Sequence, residues 1–373
     1  MPAEGSMPVC STPHSQSDRI RLGHGSGGKM TSQLIESLFL PRLGNQVLNQ
    51  LDDAADVDLG GKRVAITTDA YVVSPIFFPG GDIGSLAVHG TLNDLAVKGA
   101  TPICIAASFI LEEGLATEDL SRIVESMSSA CLSANIPLVA ADTKVVGKGA
   151  ADKLFITTTG IGLIEHACPP AANQARPGDC IIVSGDIGRH GMAIMSRREG
   201  LDLEMDILSD SAPLHRFIAA MLDWQERFAD GKNAAAENAG ANRPGGTGAI
   251  IHCMRDVTRG GLAGVLNELA GASRVGMVVD ESLIPVHPQV KAACELLGLD
   301  PFYVACEGRF VTIAKGEHVD ELLAVMRRQV SGEQSCLIGQ VVEEHPGRVV
   351  LQSRIGGHRI LDKLSGEQLP RIC

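Results

Sequence analysis

The sequence predicts two domains of α/β (α+β) type, on three observations. Short apolar runs rich in β-branched residues alternate with segments whose apolar residues recur about every 3.6 positions, as strands alternate with helices. The chain has 373 residues, enough for two hydrophobic cores. A Pro/Ala-rich break, HACPPAANQARPGD (His166 to Asp179), divides the pattern. Aromatic residues make up only 3% while glycine reaches 42 residues, so the cores are aliphatic and tight turns numerous.

Residues 1–18, MPAEGSMPVCSTPHSQSD, are rich in Pro and Ser and read as a disordered tail. The first domain, 19–167, opens with GHGSGGK and a helical pattern over Leu34 to Leu38. VAITTD (Val64 to Asp69) reads as a buried strand ending in a carboxylate, and Gly84 to Ala100 as a helix. ICIAASFIL (Ile103 to Leu111) is a strand, Leu120 to Ala134 a second helix, and IPLVAADT and KLFITTTGIGLI two further strands. The second domain, 176–346, opens with CIIVSGDIGRHGMAIM as strand, glycine turn and helix. Residues 228–248, FADGKNAAAENAGANRPGGTG, are low in complexity and read as a flexible insertion. RDVTRGGLAGVLNELAGAS resumes as loop and helix, followed by strand GMVVD, a helix over Val290 to Leu297, strand FVTIA, helix 318–328 and LIGQVVE. Residues 347–373 read as a strand-like, mobile tail ending in PRIC.

The formal net charge of −12 argues against sequence-independent nucleic-acid binding, which needs a basic surface. A polyanion such as ATP would bind through divalent cations that invert the local charge. Ten cysteines occur without a CxxC pair, which supports neither a zinc ribbon nor a thioredoxin-like motif, and His252-Cys253 alone is a poor metal signal. With no apolar run long enough to span a bilayer and no secretory h-region, the expectation is a cytoplasmic protein with reduced thiols and no membrane association.

GHGSGGK (Gly23 to Lys29) almost fits a Walker A loop, but Met30 takes the Ser/Thr position and the hydroxyl moves to Thr31. The segment is either a flexible loop with a solvated lysine or a glycine-rich cover for phosphates with Lys29 as a point charge. Asp52, Asp53, Asp69, Asp94 and Asp142 lie at strand ends or in loops, the edge of an α/β sheet where ligands bind. One such acid is ordinarily a cap or turn former; several together repel unless cations compensate, which predicts bound Mg2+. In DVTRGGL, Asp256 and Thr258 precede a helix, which is either ordinary capping or, with Arg259, a helix N-terminus facing an anion. Glu307 in CEGRF is a loop acid or a general base. Cys373 is an idle last residue or a thiol that swings and carries a group; the adjacent α-carboxylate raises its pKa, Arg371 partly offsets this, and Pro370 stiffens the chain.

Together, GHGSGGK, LDDAAD, TTDAYVVSPIFFPGGDIGSLAVHGTLNDLAVKGATP, VAADTKVV, DVTRGGL, CEGRF and PRIC resemble, in this order, the HypE family of hydrogenase maturation proteins. That family sits within the ATP-using superfamily of aminoimidazole ribonucleotide synthetase and selenophosphate synthetase. The resemblance implies the two-domain synthetase-like architecture, a homodimer formed by the N-terminal domains and ATP between the domains. It implies a carbamoyl dehydratase: a carbamoyltransferase of the HypF kind loads the last cysteine, and ATP drives dehydration to a thiocyanate. An iron-scaffold complex of the HypC–HypD kind accepts the cyanide for the NiFe-hydrogenase site. By motif, Asp53, Asp69, Asp94 and Asp142 hold metal, while Asp52, Asn93, Thr143 and Arg259 assist at the nucleotide. Lys29, Gly27 and Gly28 cover phosphates, Lys144 neutralises the transferred phosphoryl group, Glu307 is the base, and Cys373 carries the substrate. The mobile tail reaches on the order of 25–30 Å as a flexible coil. A selenophosphate synthetase would carry a reactive thiol or selenol in its glycine loop, which GHGSGGK lacks. A nonenzymatic thiol carrier would need neither the acids nor Lys144.

Overall fold

The computed structural model describes residues 19–198, 206–238, 249–366, 369 and 371–373, without the side chains of 229–238. The Pro/Ser-rich segment 1–18, residues 239–248 of the expected insertion and Pro370 lie outside the described residues. The first domain runs α1 (Lys29–Leu34), a π-helical turn (Ile35–Phe39), α2 (Leu40–Leu43), β1 (Ala55–Asp58), β2 (Arg63–Tyr71), a short hairpin of β3 (Phe77–Phe78) and β4 (Gly81–Asp82), and α3 (Ile83–Val97). It continues with β5 (Thr101–Glu112), α4 (Thr117–Ala134), β6 (Leu138–Val146) and β7 (Leu154–Leu163). Its sheet has the order β1-β2-β7-β5-β6.

Only β5 and β6 pair in parallel; the other neighbours in this sheet are antiparallel. Parallel pairing needs a crossover, and α4 provides the one helix between neighbouring strands. The alternation of strands and helices did not carry this mostly antiparallel pairing, and Asp142, expected at one sheet edge with other acids, lies within exposed edge strand β6. Along β7, Leu154, Ile156, Thr158, Gly160 and Gly162 are buried at every second position, the period of a sheet with one covered face. The cover is α3, capped by Asp82, whose carboxylate accepts from the Gly84 and Ser85 amides. A Cβ on Gly160 would stand 2.7 Å from the Thr91 methyl, so glycine sets how closely α3 approaches. The helix is buried nearly all round because the second domain covers its other side through α6 and β9.

The second domain comprises β8 (Asp179–Val183), α5 (Arg189–Met195), α6 (His215–Asn238), β9 (Ile251–Asp256), α7 (Gly261–Ser273), β10 (Gly276–Asp280) and α8 (Pro288–Leu297). It ends with β11 (Phe310–Lys315), α9 (Val319–Met326), β12 (Cys336–Val342), β13 (Val349–Gln352) and β14 (His358–Ile360). The sheet order is β14-β13-β10-β12-β8-β11-β9, with β8 among the most buried strands. Two expectations are corrected here. Residues 228–238 continue α6, in keeping with the helix propensity of their alanine run. The tail does not swing from residue 347: β13 pairs in parallel with β10, β14 pairs with β13, and Val349, Leu351 and Leu361 are buried. No helix among the described residues is long and apolar enough to cross a membrane.

Two polar contacts fix how the domains meet. Asp52 forms a buried ion pair with Lys98 and accepts from the Ala172 amide at 3.0 Å, tying the first domain to the inter-domain segment. Asn93 on α3 donates to the carbonyls of Ala212 and Glu307 and accepts from the Leu214 amide at 2.8 Å. Removing one partner of a buried pair strands the other charge. Lys98→Ala should therefore lower unfolding free energy by about 3–5 kcal/mol, read as a lower urea midpoint.

Candidate active site

Three carboxylates from three elements converge between the domains. Asp53 precedes β1, Asp94 lies in the last turn of α3, and Asp256 ends β9; one oxygen of each lies within 4.8 Å of the others. Thr67 on β2 donates to Asp94 at 2.6 Å. Burial, compounded by the neighbouring acids, pushes the Asp94 and Asp256 carboxyls well above the usual range. Asp53 is raised to about 6 by burial, although Arg255 stands 2.9 Å away and opposes the shift. Arg255 also pairs with Glu268 at 3.3 Å. A hard divalent cation fits this donor set: oxygen ligands only, preformed, and short of positive charge.

The triad separates two cavities. On one side is a cavity of about 800 Å³ lined by Ser32, Asp53, Arg255, Asn267, Glu268 and Lys363, within the size range of ligand pockets. On the other is a small space of about 50 Å³ lined by Asp69, Asp94, Asp256, Arg259, Glu307 and Cys373. The Cys373 thiol is pushed up to about 12, by burial above all, with the Arg259 guanidinium opposing and Glu307 adding. Glu307 is 3% exposed and its Oε1 has no hydrogen-bond partner among the described residues. Burial, then the charges of Asp256 and Asp210, hold its carboxyl well above the glutamate range. Tyr71 reaches the same space, its hydroxyl donating to Asp69 at 3.2 Å. A small group on sulfur would meet a carboxyl, a guanidinium and the acids of the cluster at once.

Of the residues expected from sequence, Asp53, Asp69, Asp94, Arg259, Glu307 and Cys373 come together. The Lys29 ammonium pairs with Asp362 at 2.5 Å and its amide donates to the Leu364 carbonyl at 2.8 Å. Gly27, at φ +75°, packs on the Arg259 carbonyl and Gly28 on Leu364, so this loop braces the segment leading to Cys373. Asp52 is turned into its pair with Lys98, and Asn93 holds the Glu307 backbone; neither faces the cavity around Cys373. Asp142, Thr143 and Lys144 lie exposed on edge strand β6, with Asp142 accepting from the Lys144 ammonium and the Thr143 amide, outside this chain's acid cluster. Arg371 is corrected, since Asp152 engages it and the cation offsetting the thiol is Arg259. The sequence left Asp256 between a helix cap and part of an anion-facing helix start; the cap of α7 is Gly260. Its position at the end of apolar β9 was the same signal that singled out Asp69. Arg255 and Glu268 lie outside the motifs, and Tyr71 lies within TTDAYVVSP without having been singled out.

Models of the AIR synthase related proteins match residues 51–164 with the N-terminal domain and 176–352 with the C-terminal domain. Carbamoyl dehydratase HypE of Cupriavidus necator is 50% identical over 359 residues, 96% of this chain and 96% of that protein. The chain belongs to the HypE carbamoyl dehydratase family. A crystal structure of a HypE–HypF complex matches at TM-score 0.78 and 39% identity, covering 89% of this chain and 99% of that one. A HypE in complex with ATP matches at TM-score 0.74 and 44% identity, covering 94% and 98%. Family and synthetase-like fold are thus those implied by the order of motifs.

Burial makes docking of Cys373 pH-dependent. Its docked thiol titrates near 12 against an ordinary 9.0, so docking is fully favourable below 9.0 and weakens as pH rises towards 12. Alkylation of Cys373 should stay slower than that of exposed Cys168 at neutral pH and accelerate more steeply above pH 9.0, as read by peptide mass mapping.

Proposed function

We propose that the chain dehydrates a carbamoyl group carried on Cys373, at the expense of ATP, and so supplies cyanide ligands for the NiFe-hydrogenase iron. The observation that carries this reading is the Cys373 sulfur closing a small cavity with Glu307 and Arg259, directly beside Asp94 and Asp256. A thiol carrier alone would need neither those acids nor a second, nucleotide-sized cavity on their far side.

The carried species is the thiocarbamate Cys373–S–C(O)NH2. Its oxygen takes the γ-phosphoryl group, ADP leaves, and one nitrogen proton is lost to give an iminophosphate. Loss of the second nitrogen proton with cleavage of the C–O bond releases phosphate and leaves Cys373–S–C≡N. The oxygen and both protons of one water have then left the amide. Asp53, Asp94 and Asp256 would hold magnesium, which would supply charge neutralisation at the phosphates and relieve the negative field around Glu307. Glu307, once ionised, is placed to take a nitrogen proton, and Arg259 to stabilise charge on the departing oxygen. Asp69 holds the Tyr71 hydroxyl at the rim of the same space. Lys29 serves the phosphates after exchanging its Asp362 partner for them.

Cys373 must leave the cavity to be loaded and to deliver its product. A carbamoyltransferase of the HypF kind would load it, a reading supported by the relative solved with HypF; an iron-scaffold complex of the HypC–HypD kind would accept the cyanide. We place this work in the cytoplasm. The chain pairs as a homodimer through its first domain, where β6 is exposed along most of its length and shows Val139 and Val145 to solvent. Pairing there would bury those side chains and bring Asp142 and Lys144 to the interface.

Intact-mass analysis of the Cys373 peptide after incubation with ATP, magnesium and the loading enzyme should register the carbamoyl adduct, then its loss of one water, with ADP formed in step. Equal ATP consumption by Cys373→Ala, with no dehydrated adduct on the wild type, would sink the mechanism. Asp256→Asn should slow dehydration by about a hundredfold or more, the scale of losing metal charge stabilisation, and raise the magnesium concentration needed for half-maximal rate.

A further inference from the structure

Around the last three residues the chain makes contacts that the dehydration chemistry does not call for. The Val72 amide donates to the Cys373 carbonyl oxygen at 3.1 Å and the Ser74 amide to the Arg371 carbonyl at 3.1 Å, so the segment lies along residues 72–74 like an added strand. The Arg371 side chain returns a bond to the Val72 carbonyl at 2.9 Å. Its guanidinium reaches Asp152 at 2.6 Å and lies 5.8 Å from the centre of the Phe155 ring. Arg198, just beyond α5, donates to the Ser74 carbonyl at 3.1 Å and the Arg371 carbonyl at 2.9 Å, joining both sides of the seam. Ile372 is 5% exposed and buried in the main core cluster, while its carbonyl lies 2.6 Å from His190 Nε2.

The tautomer of His190 follows from its other contact. Ser209 Oγ accepts from the Ser211 amide at 3.0 Å and lies 2.8 Å from His190 Nδ1. The serine hydroxyl donates to Nδ1, which leaves the imidazole proton on Nε2, directed at the Ile372 carbonyl. Burial lowers the His190 pKa, which keeps the ring neutral and this arrangement intact.

We propose that Asp152, Arg198 and His190 are positioning residues that read Arg371 and Ile372, so that the site accepts a cysteine only when it is presented behind an Arg-Ile pair. Main-chain bonds give the segment its hold, as in strand addition, while the Asp152–Phe155 corner and the apolar seat of Ile372 select the side chains. His190 and Arg198 fix the carbonyls on either side of Ile372, which sets the depth to which the sulfur enters. The inference rests on the proposed function for its purpose, but the docking itself can be measured without carbamoyl group or ATP.

The test is the alkylation rate of Cys373 by iodoacetamide at neutral pH in the full-length protein, followed by peptide mass mapping. Arg198→Ala should raise it about tenfold, equivalent to about 1.4 kcal/mol of docking, with the melting temperature unchanged. If that variant does not fold, Asp152→Lys, at a half-exposed position, should raise the rate about fivefold, near the upper limit for such a pair. Arg371→Glu should do the same, and Asp152→Lys combined with Arg371→Glu should restore the slow rate, a rescue that a merely structural role would not give. Unchanged alkylation in Asp152→Lys and Arg371→Glu, or no rescue in the double variant, overturns the inference even if dehydration is confirmed. Slow alkylation that obeys this pattern upholds it even if no dehydration is found.

Discussion

Mutual repulsion among buried carboxyl groups governs the arrangement of this protein. Asp53, Asp69, Asp94, Asp256 and Glu307 face one seam. Two full charges 4.8 Å apart at an effective dielectric of about 20 repel by about 3 kcal/mol, so the group cannot ionise together unaided. Arg255 and Arg259 supply part of the compensation from the second domain. The remainder is met by holding protons: burial first, and the neighbouring acids after it, make Asp94, Asp256 and Glu307 all titrate high. A cation among the acids would displace those protons, coupling metal binding to the readiness of Glu307 to act as a base.

Neither domain contains this seam by itself. Asp53, Asp69 and Asp94 come from the first domain, and Asp256, Arg259 and Glu307 from the second. The buried pair Asp52–Lys98 and the three-way contact of Asn93 therefore bear on the geometry of the seam from outside it. Asn93 is the more direct of the two, because one of its bonds is to the carbonyl of Glu307. A sub-ångström change in how the domains meet would move donor and acceptor by the margin on which orientation depends.

Most strands and helices were legible from the sequence because their apolar periods are clear, as in the strict alternation of β7. What the periods do not carry is pairing direction, so the largely antiparallel first sheet was not anticipated. Acid residues at strand ends pointed to the right chemistry, but the rule is local and cannot tell a buried end from an exposed one. Asp69 and Asp142 look alike in sequence; Asp69 faces the seam and Asp142 lies on the uncovered edge of β6. Arg255 escaped notice because its partner Asp53 lies far away in sequence, and Tyr71 because nothing in the sequence marks its bond to Asp69, two residues away, as part of the seam. β13 and β14 were mistaken for a loose tail because short strands gain their stability from neighbours rather than from their own propensity.

The tethering of Cys373 to β14 changes the kind of kinetics this protein can have. A sulfur joined to the sheet by the short stretch beyond Leu361 is present at an effective concentration on the order of millimolar, whatever the cell contains. Under the proposed function, encounter between the carried group and the seam would therefore be first-order, and no amount of loaded protein would saturate it. One chain would handle one carbamoyl group per cycle and could not begin another until the last had been handed on. Throughput would then be set by the traffic of the tether between exposed and enclosed positions, so the steps most open to control would be arrival and departure.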